Sequence, residues 1–406
     1  MITIKNIKLL DGTVQDVEFE GEDKTIDAEG KLSMLPALID PHVHFRTPGE
    51  EHKEDWIHGA RAAIAGGVTT VLDMPNNIPA CSTQKALHKK KERIEKQLQE
   101  ADIPLRAFFY FGADETHLDQ ISLCKKEIIG IKVYMGSSTG SLVMNKLASL
   151  EKVFQIAAQE NLILTVHAED EEILQARAKQ FSGEANPAVH SKIRDREAAI
   201  KAVDLAISLA EQYSTQLMIA HVTTKQELSL IREAKKKEMI IYAEATPHHL
   251  FLTEDAYKKW GTKVQMNPPL RTVEDQEELW EAVRDGTIDT IGSDHAPHTL
   301  EEKNQPYGKA PSGVAGLETT LPLLLTASKR GLFSIEKLVE LTRINPERIF
   351  RLPPTKDSVL VDLETERAVE DRLLQTKCGW SPFAGRKLIG WPVYTLLNGR
   401  IYDLRH

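Results

Sequence analysis

The sequence predicts an α/β protein: a (β/α)8 TIM-like barrel with a small β-sandwich formed from both termini. Eight short apolar, β-type runs recur through the middle of the chain with helical segments between them, the pattern of parallel strands buried on both faces. Five of the eight carry a metal-binding type of side chain at or near their end, as expected where barrel enzymes place their chemistry. The two ends of the chain instead alternate apolar and polar positions. An open doubly wound sheet is the alternative architecture, but it gathers ligands at one switch point rather than around a ring of strand ends.

Taken in order, residues 1–35 alternate through Ile2, Ile4 and Ile7, then Val14, Val17 and Phe19, with turns at Asp11-Gly12 and Glu29-Gly30. The first barrel run, 38–44, closes with His42-Val43-His44. Glu54 to Ala65 reads as an amphipathic helix stopped by Gly66-Gly67, and 68–73 is the second run. Thr83 to Glu100 is a charged helix with Leu87, Ile94 and Leu98 on one face. Its Lys89-Lys90-Lys91 stretch is followed by Glu92, Glu95 and Glu100, so it reads as a solvated face and not an anion site. Runs at 105–111, 129–135 and 162–168 follow, the second containing Lys132 and the third His167. Arg196 to Tyr213, rich in Ala and Leu, suits a helix packed on a barrel. The last runs are 217–222 with His221, 239–244, and 288–294 ending at Asp294. From Ser358 the alternation returns, with Asn398-Gly399 as a tight turn between β-type residues. The expected organisation is a catalytic barrel over 36–355 inserted in a β-sandwich made of 1–35 and 356–406.

At 406 residues the chain has room for a large domain and a smaller module. A composition of 41% hydrophobic and 27% charged residues is that of an ordinary globular protein. The net charge of -9 and the lack of a basic stripe argue against a nucleic-acid partner, although a pocket's local field can still favour a small anion. Cys81, Cys124 and Cys378 are too few and too scattered for a disulfide framework and read as small buried hydrophobes. The N-terminus lacks a signal-peptide core, and no apolar run reaches the ~18–20 residues that span a membrane. A cytoplasmic enzyme without membrane attachment is expected, and a homodimer is the commonest closed assembly for such a chain.

Two residues apart on a strand, His42 and His44 point to one face. Alone, such a pair is usually just two polar residues at a strand end. With His167, His221 and Asp294 at other strand ends, it becomes part of a convergent metal site. Lys132 lies within a buried apolar strand, where an isolated ammonium is costly. Desolvation favours its neutral amine, which can add carbon dioxide to give a carboxylate-like bridge between two cations. The plainer alternative is a salt bridge to Glu244 or Asp294. Arg46 can clamp a carboxylate, Asn76 can donate to the same group, Asn267 can read an amide edge, and His298 can bind substrate or assist proton transfer. Gly136-Ser137-Ser138-Thr139-Gly140 looks like a lid rather than a phosphate cradle.

These segments together resemble the amidohydrolase superfamily and, within it, the dihydroorotases. The matching stretches are Asp40-Pro-His-Val-His-Phe-Arg-Thr-Pro-Gly49, Gly66 to Asn76, Gly130-Ile-Lys-Val-Tyr-Met-Gly136, Asn267-Pro-Pro-Leu-Arg271, Gly292-Ser-Asp-His-Ala-Pro-His298, Gly313 to Thr319 and Ser381-Pro-Phe-Ala-Gly385. The resemblance implies reversible interconversion of N-carbamoyl-L-aspartate and L-dihydroorotate in pyrimidine (UMP) biosynthesis. It further implies two zinc ions, one on His42, His44 and Asp294 and one on His167 and His221, bridged by N6-carboxylated Lys132. Asp294 would also be the catalytic proton shuttle. Arg46, Asn76 and His298 would hold the substrate carboxylate, Asn267 and the backbone at Ala315-Gly316 would read the ring, and Ser138-Thr139 would form the lid. Ala37 and Thr47 depart from the usual pattern without touching a proposed ligand. Some dihydroorotases bridge with an aspartate, but Gly-Ile-Lys-Val-Tyr-Met fits the carboxylated-lysine type. Dihydropyrimidinases, hydantoinases and allantoinases share the ligand set, so Arg46 is the discriminating residue: a substrate with a free carboxylate needs a cation there. A non-catalytic scaffold would show missing ligands, and none of the six is missing.

Overall fold

Four strands open the chain in the computed structural model, which describes residues 1–138 and 142–405: β1 (Ile2–Lys8), β2 (Val14–Phe19), β3 (Lys24–Asp27) and β4 (Leu32–Pro36). Eight parallel strands then form the barrel: β5 (Leu38–Val43), β6 (Val68–Asp73), β7 (Arg106–Gly112), β8 (Gly130–Tyr134), β9 (Leu164–His167), β10 (Leu217–Ile219), β11 (Ile241–Ala245) and β12 (Thr290–Ile291). They pair in chain order from β5 to β12. The ring closes through the parallel bridge Val43–His295 and a bond of 3.0 Å from the Ser293 N–H to Asp40 Oδ1. Every residue of β5, β6, β8, β9 and β12 is buried, which is why these strands read as continuous apolar runs.

The helices start where the sequence provides caps. Asp55 accepts from His58 N–H ahead of helix Trp56–Ala65, Thr83 from Ala86 N–H ahead of Gln84–Ala101, and Asp195 from Ala198 N–H ahead of Arg196–Tyr213. One expectation is corrected on the second of these. Lys90 is not on a solvated face; it is buried, with Nζ 2.5 Å from Asp73 Oδ2 and 2.8 Å from the Met74 carbonyl. Three residues after Leu87 and four before Ile94, it shares their core-facing stripe and pins the helix to the end of β6.

The chain's two ends meet in one seven-stranded sheet. β13 (Ser358–Asp362) lies between β4 and β16 (Pro392–Leu397), with β17 (Arg400–Asp403) at the edge, while β14 (Arg367–Ala368) and β15 (Lys387–Leu388) pair separately. Between them the segment around Thr376–Ser381 reaches back to the C-terminal end of the barrel strands. The Lys377 ammonium is 2.7 Å from Asp55, and Trp380 Nε1 donates to the His298 carbonyl at 2.8 Å. Among the described residues no helix is long and apolar enough to cross a membrane.

Candidate active site

The strand ends bring five of the expected side chains to one place. His42 Nε2 and His44 Nε2 lie 3.3 and 3.1 Å from the same oxygen of Asp294, and His167 Nδ1 lies 3.0 Å from His221 Nε2. The two groups adjoin, with 5.4 Å between the His42 and His221 ring centroids. Lys132 lines the same cavity. Three of the residues that shape it (Arg46, His221 and Asp294) hold left-handed backbone at φ 58°, 39° and 45°. That geometry is costly for non-glycine residues, and it persists where the surroundings impose it, typically at functional sites.

Outer partners fix which ring nitrogen faces inward. His42 Nδ1 donates to Glu244 Oε1 at 2.7 Å, His44 Nδ1 to Asn76 Oδ1 at 2.7 Å, and His167 Nε2 to Glu169 Oε2 at 2.9 Å. Each bond commits one nitrogen as donor and leaves the other with its lone pair turned into the cavity, the tautomer a metal ligand needs. Burial also lowers the pKa of His44 to about 4 and moves those of His167 and His221 down, so these rings are neutral at pH 7.

Lys132 is fully buried, and its Nζ has no hydrogen-bond partner among the described residues. The salt bridge to Glu244 or Asp294 is absent; Glu244 is engaged with His42 instead. Burial brings the Lys132 pKa down to about 8. At pH 7 roughly a tenth of it is free amine, against a few ten-thousandths at its ordinary value.

Among the expected substrate groups, Arg46, Asn76, Asn267 and Ser138 line the cavity, joined by Tyr134, Ser312 and Gly313. His298 stands behind Arg46, with its Nε2 3.1 Å from Arg46 Nη2. Asn267 Oδ1 accepts from His190 Nε2 at 2.9 Å. Ala315 and Gly316 do not line the cavity: the Gly316 N–H points to His295 Nδ1 at 3.3 Å, and the nearby backbone that does face the cavity is Ser312-Gly313. Thr139 lies outside the described residues. Glu169, Arg194 and the role of Glu244 were not foreseen, although Glu169 stands only two residues beyond His167.

Close packing behind the first histidine yields a prediction. A Cβ on Gly292 would sit 2.6 Å from Glu244 Oε2 and 2.9 Å from the His42 Cβ. Gly292→Ala is therefore expected to displace Glu244 and turn His42. Metal affinity, measured by competition with a chromophoric chelator, should fall about tenfold or more; unchanged affinity would refute this role for the glycine.

The donor set suits divalent cations. The inward atoms of His42, His44 and Asp294 all lie within 4.8 Å of one another, and Lys132 Nζ is buried without a partner among the described residues. Comparisons with known proteins agree with this geometry. Residues 33–361 match the amidohydrolase family. The chain is 36% identical to a dihydroorotase of Halobacterium salinarum, covering 98% of this chain and 96% of that protein. It is 34% identical to a dihydroorotase of Methanosphaera stadtmanae, over 98% and 93%. Among solved structures it superposes on an L-hydantoinase (dihydropyrimidinase) from Arthrobacter aurescens with a TM-score of 0.91 at 28% identity, covering 99% of this chain and 96% of that one. A dihydropyrimidinase from Brevibacillus agri gives 0.87 at 25%, over 98% and 94%.

Proposed function

This chain belongs to the amidohydrolase family as an enzyme acting on cyclic amides, and we propose that its reaction is the reversible interconversion of N-carbamoyl-L-aspartate and L-dihydroorotate, a step of pyrimidine (UMP) biosynthesis. The observation that carries the substrate assignment is Arg46, a buried guanidinium lining the same cavity as the histidines. An uncharged hydantoin gives such a group nothing to pair with, whereas dihydroorotate carries a carboxylate. The dihydroorotase names of the sequence relatives support the same reading.

In this reading His42, His44 and Asp294 would hold one zinc and His167 and His221 the other, with Lys132, as its N6-carboxylate, shared between them. The bridge forms when the free amine adds to the carbon of carbon dioxide and loses one proton, a step favoured by the lowered Lys132 pKa. When bound, the cations supply Lewis-acid activation of water and of the ring carbonyl. Asp294 receives the proton of the attacking water and returns it to the ring nitrogen as the carbonyl carbon–nitrogen bond breaks; in the cyclising direction the transfers reverse. Arg46 and Asn76 orient the carboxylate, with His298 bracing Arg46 from behind, and Asn267 with the Ser312-Gly313 backbone faces the ring. Ser138, assigned to the proposed lid, lines the cavity.

A four-substrate assay decides the matter. Zinc-loaded protein prepared with bicarbonate is expected to turn over dihydroorotate with kcat/KM at least about a hundredfold above dihydrouracil, hydantoin and allantoin. Good turnover of hydantoin or dihydrouracil with none of dihydroorotate would overturn the assignment.

A further inference from the structure

We propose that Arg194 is a positioning residue that sets two parts of the site at once, the lone pair of His167 and the backbone at Ser137. The proposal rests on the metal-binding part of the reading above and not on which cyclic amide is the substrate. Arg194 sits at the end of the short helix His190–Ile193 and is buried at the catalytic end of the barrel. Its Nε lies 3.0 Å from Glu169 Oε2, and Nη2 also bonds that oxygen. The same Nη2 donates to the Ser137 carbonyl at 2.6 Å. Glu169 Oε2 is the atom that accepts from His167 Nε2. One guanidinium thus holds the carboxylate that orients a ligand ring and, with the same nitrogen, the loop that follows the Lys132 strand.

Neighbouring contacts show that this arrangement is built from several sides. Arg271 Nη1 donates to the Arg194 carbonyl at 2.6 Å, and its Nε donates to Thr223 Oγ1, two residues beyond His221. Ser137 is held on its other side by Glu171, which accepts from both its N–H and its hydroxyl at 2.5 Å. Gly136 permits the approach: a Cβ there would lie 2.4 Å from the Glu169 carbonyl, so any side chain would push the loop away from Arg194. A fully buried ion pair is a poor device for stability alone, because desolvating both charges consumes most of the gain. What Glu169 and Arg194 provide is direction. With Nε2–H of His167 committed to Glu169, its Nδ1 lone pair faces His221 Nε2 at 3.0 Å, where the second cation would bind.

Arg194→Met and Arg194→Lys, reconstituted with Co2+, test this. Arg194→Met should melt as a folded protein and bind one equivalent of cobalt normally, while the second binds about tenfold more weakly or worse. The visible absorption of the cobalt form should change, and KM for the cyclic substrate should rise as Ser137 loses its donor. Arg194→Lys keeps the charge without the fork and should recover part of the cobalt affinity. If Arg194→Met does not fold, Glu169→Gln removes the partner charge at nearly constant shape, and the same loss of the second equivalent is expected. Two tightly bound equivalents with a wild-type cobalt spectrum, in either folded variant, would overturn the proposal. Failure of the dihydroorotate assay would leave this cobalt result untouched.

Discussion

Replacing Lys132 by alanine is expected to lower kcat/KM by about a thousandfold or more while leaving the protein folded. Stability should hold because the deleted group contributes little in the free protein. Its Nζ is fully desolvated and makes no hydrogen bond among the described residues, so removing it relieves a burial cost as well as opening a small space. Function should not hold, because Lys132 lines the cavity shared by the His42–His44–Asp294 group and the His167–His221 pair and is the proposed bridge between them. Without a bridge the two become separate, weaker half-sites, and metal analysis should find less than two equivalents retained on dialysis. Formate or acetate, small enough for the vacated volume and bearing the missing carboxylate, should restore part of the activity. The Lys132→Arg variant keeps the charge but cannot add carbon dioxide, so it should be as inactive as Lys132→Ala. Two tightly held cations in Lys132→Ala would refute the bridging role.

The parts of this site that were legible in the sequence are those that depend on a residue's own strand. Parallel strands buried on both faces are readable as apolar runs, and a histidine or aspartate closing such a run needs no further information to be placed at a barrel rim. Residues acting through a partner on another element were much less visible. Glu244 could be read as a counter-ion for Lys132 because both lie in apolar runs; only the ring closing between β12 and β5 puts it against His42 instead. Arg194 is 25 residues from Glu169, and their bond depends on how the intervening helices fold back. The backbone around Ala315-Gly316 misses the cavity for a similar reason. Gly316 starts the helix Leu317–Lys329 and directs its N–H to His295, leaving Ser312-Gly313 to face the cavity. Lys90 is hidden by a different cause: a run of like residues conceals helical spacing, which places only the middle lysine on the buried stripe.

In the proposed reaction substrate choice would turn on Arg46, and Arg46→Gln is expected to reduce kcat/KM for dihydroorotate by about a thousandfold, while turnover of uncharged cyclic amides changes less than about tenfold. The asymmetry follows from what the guanidinium lacks. It is 3% exposed; Nε donates to the Pro297 carbonyl at 3.1 Å and Nη2 to His298 Nε2 at 3.1 Å, both neutral acceptors. The nearest carboxylate among the described residues, Glu50, stands 3.6 Å from Nη1 and is shared with Lys53. A buried cation without a carboxylate at hydrogen-bond distance is costly, and a substrate carboxylate completes it. Arg46 holds left-handed backbone and donates to His298, and its side chain lines the cavity. Arg46→Lys keeps the charge but offers no planar pair of donors, so a smaller loss, of roughly tenfold, is expected. Cobalt stoichiometry should stay at two in both variants, because neither removes a proposed ligand; this separates a lost substrate contact from a damaged metal site. Equal losses on dihydroorotate and hydantoin in Arg46→Gln, with metal content intact, would mean that the guanidinium serves the architecture of the cavity rather than the recognition of a carboxylate.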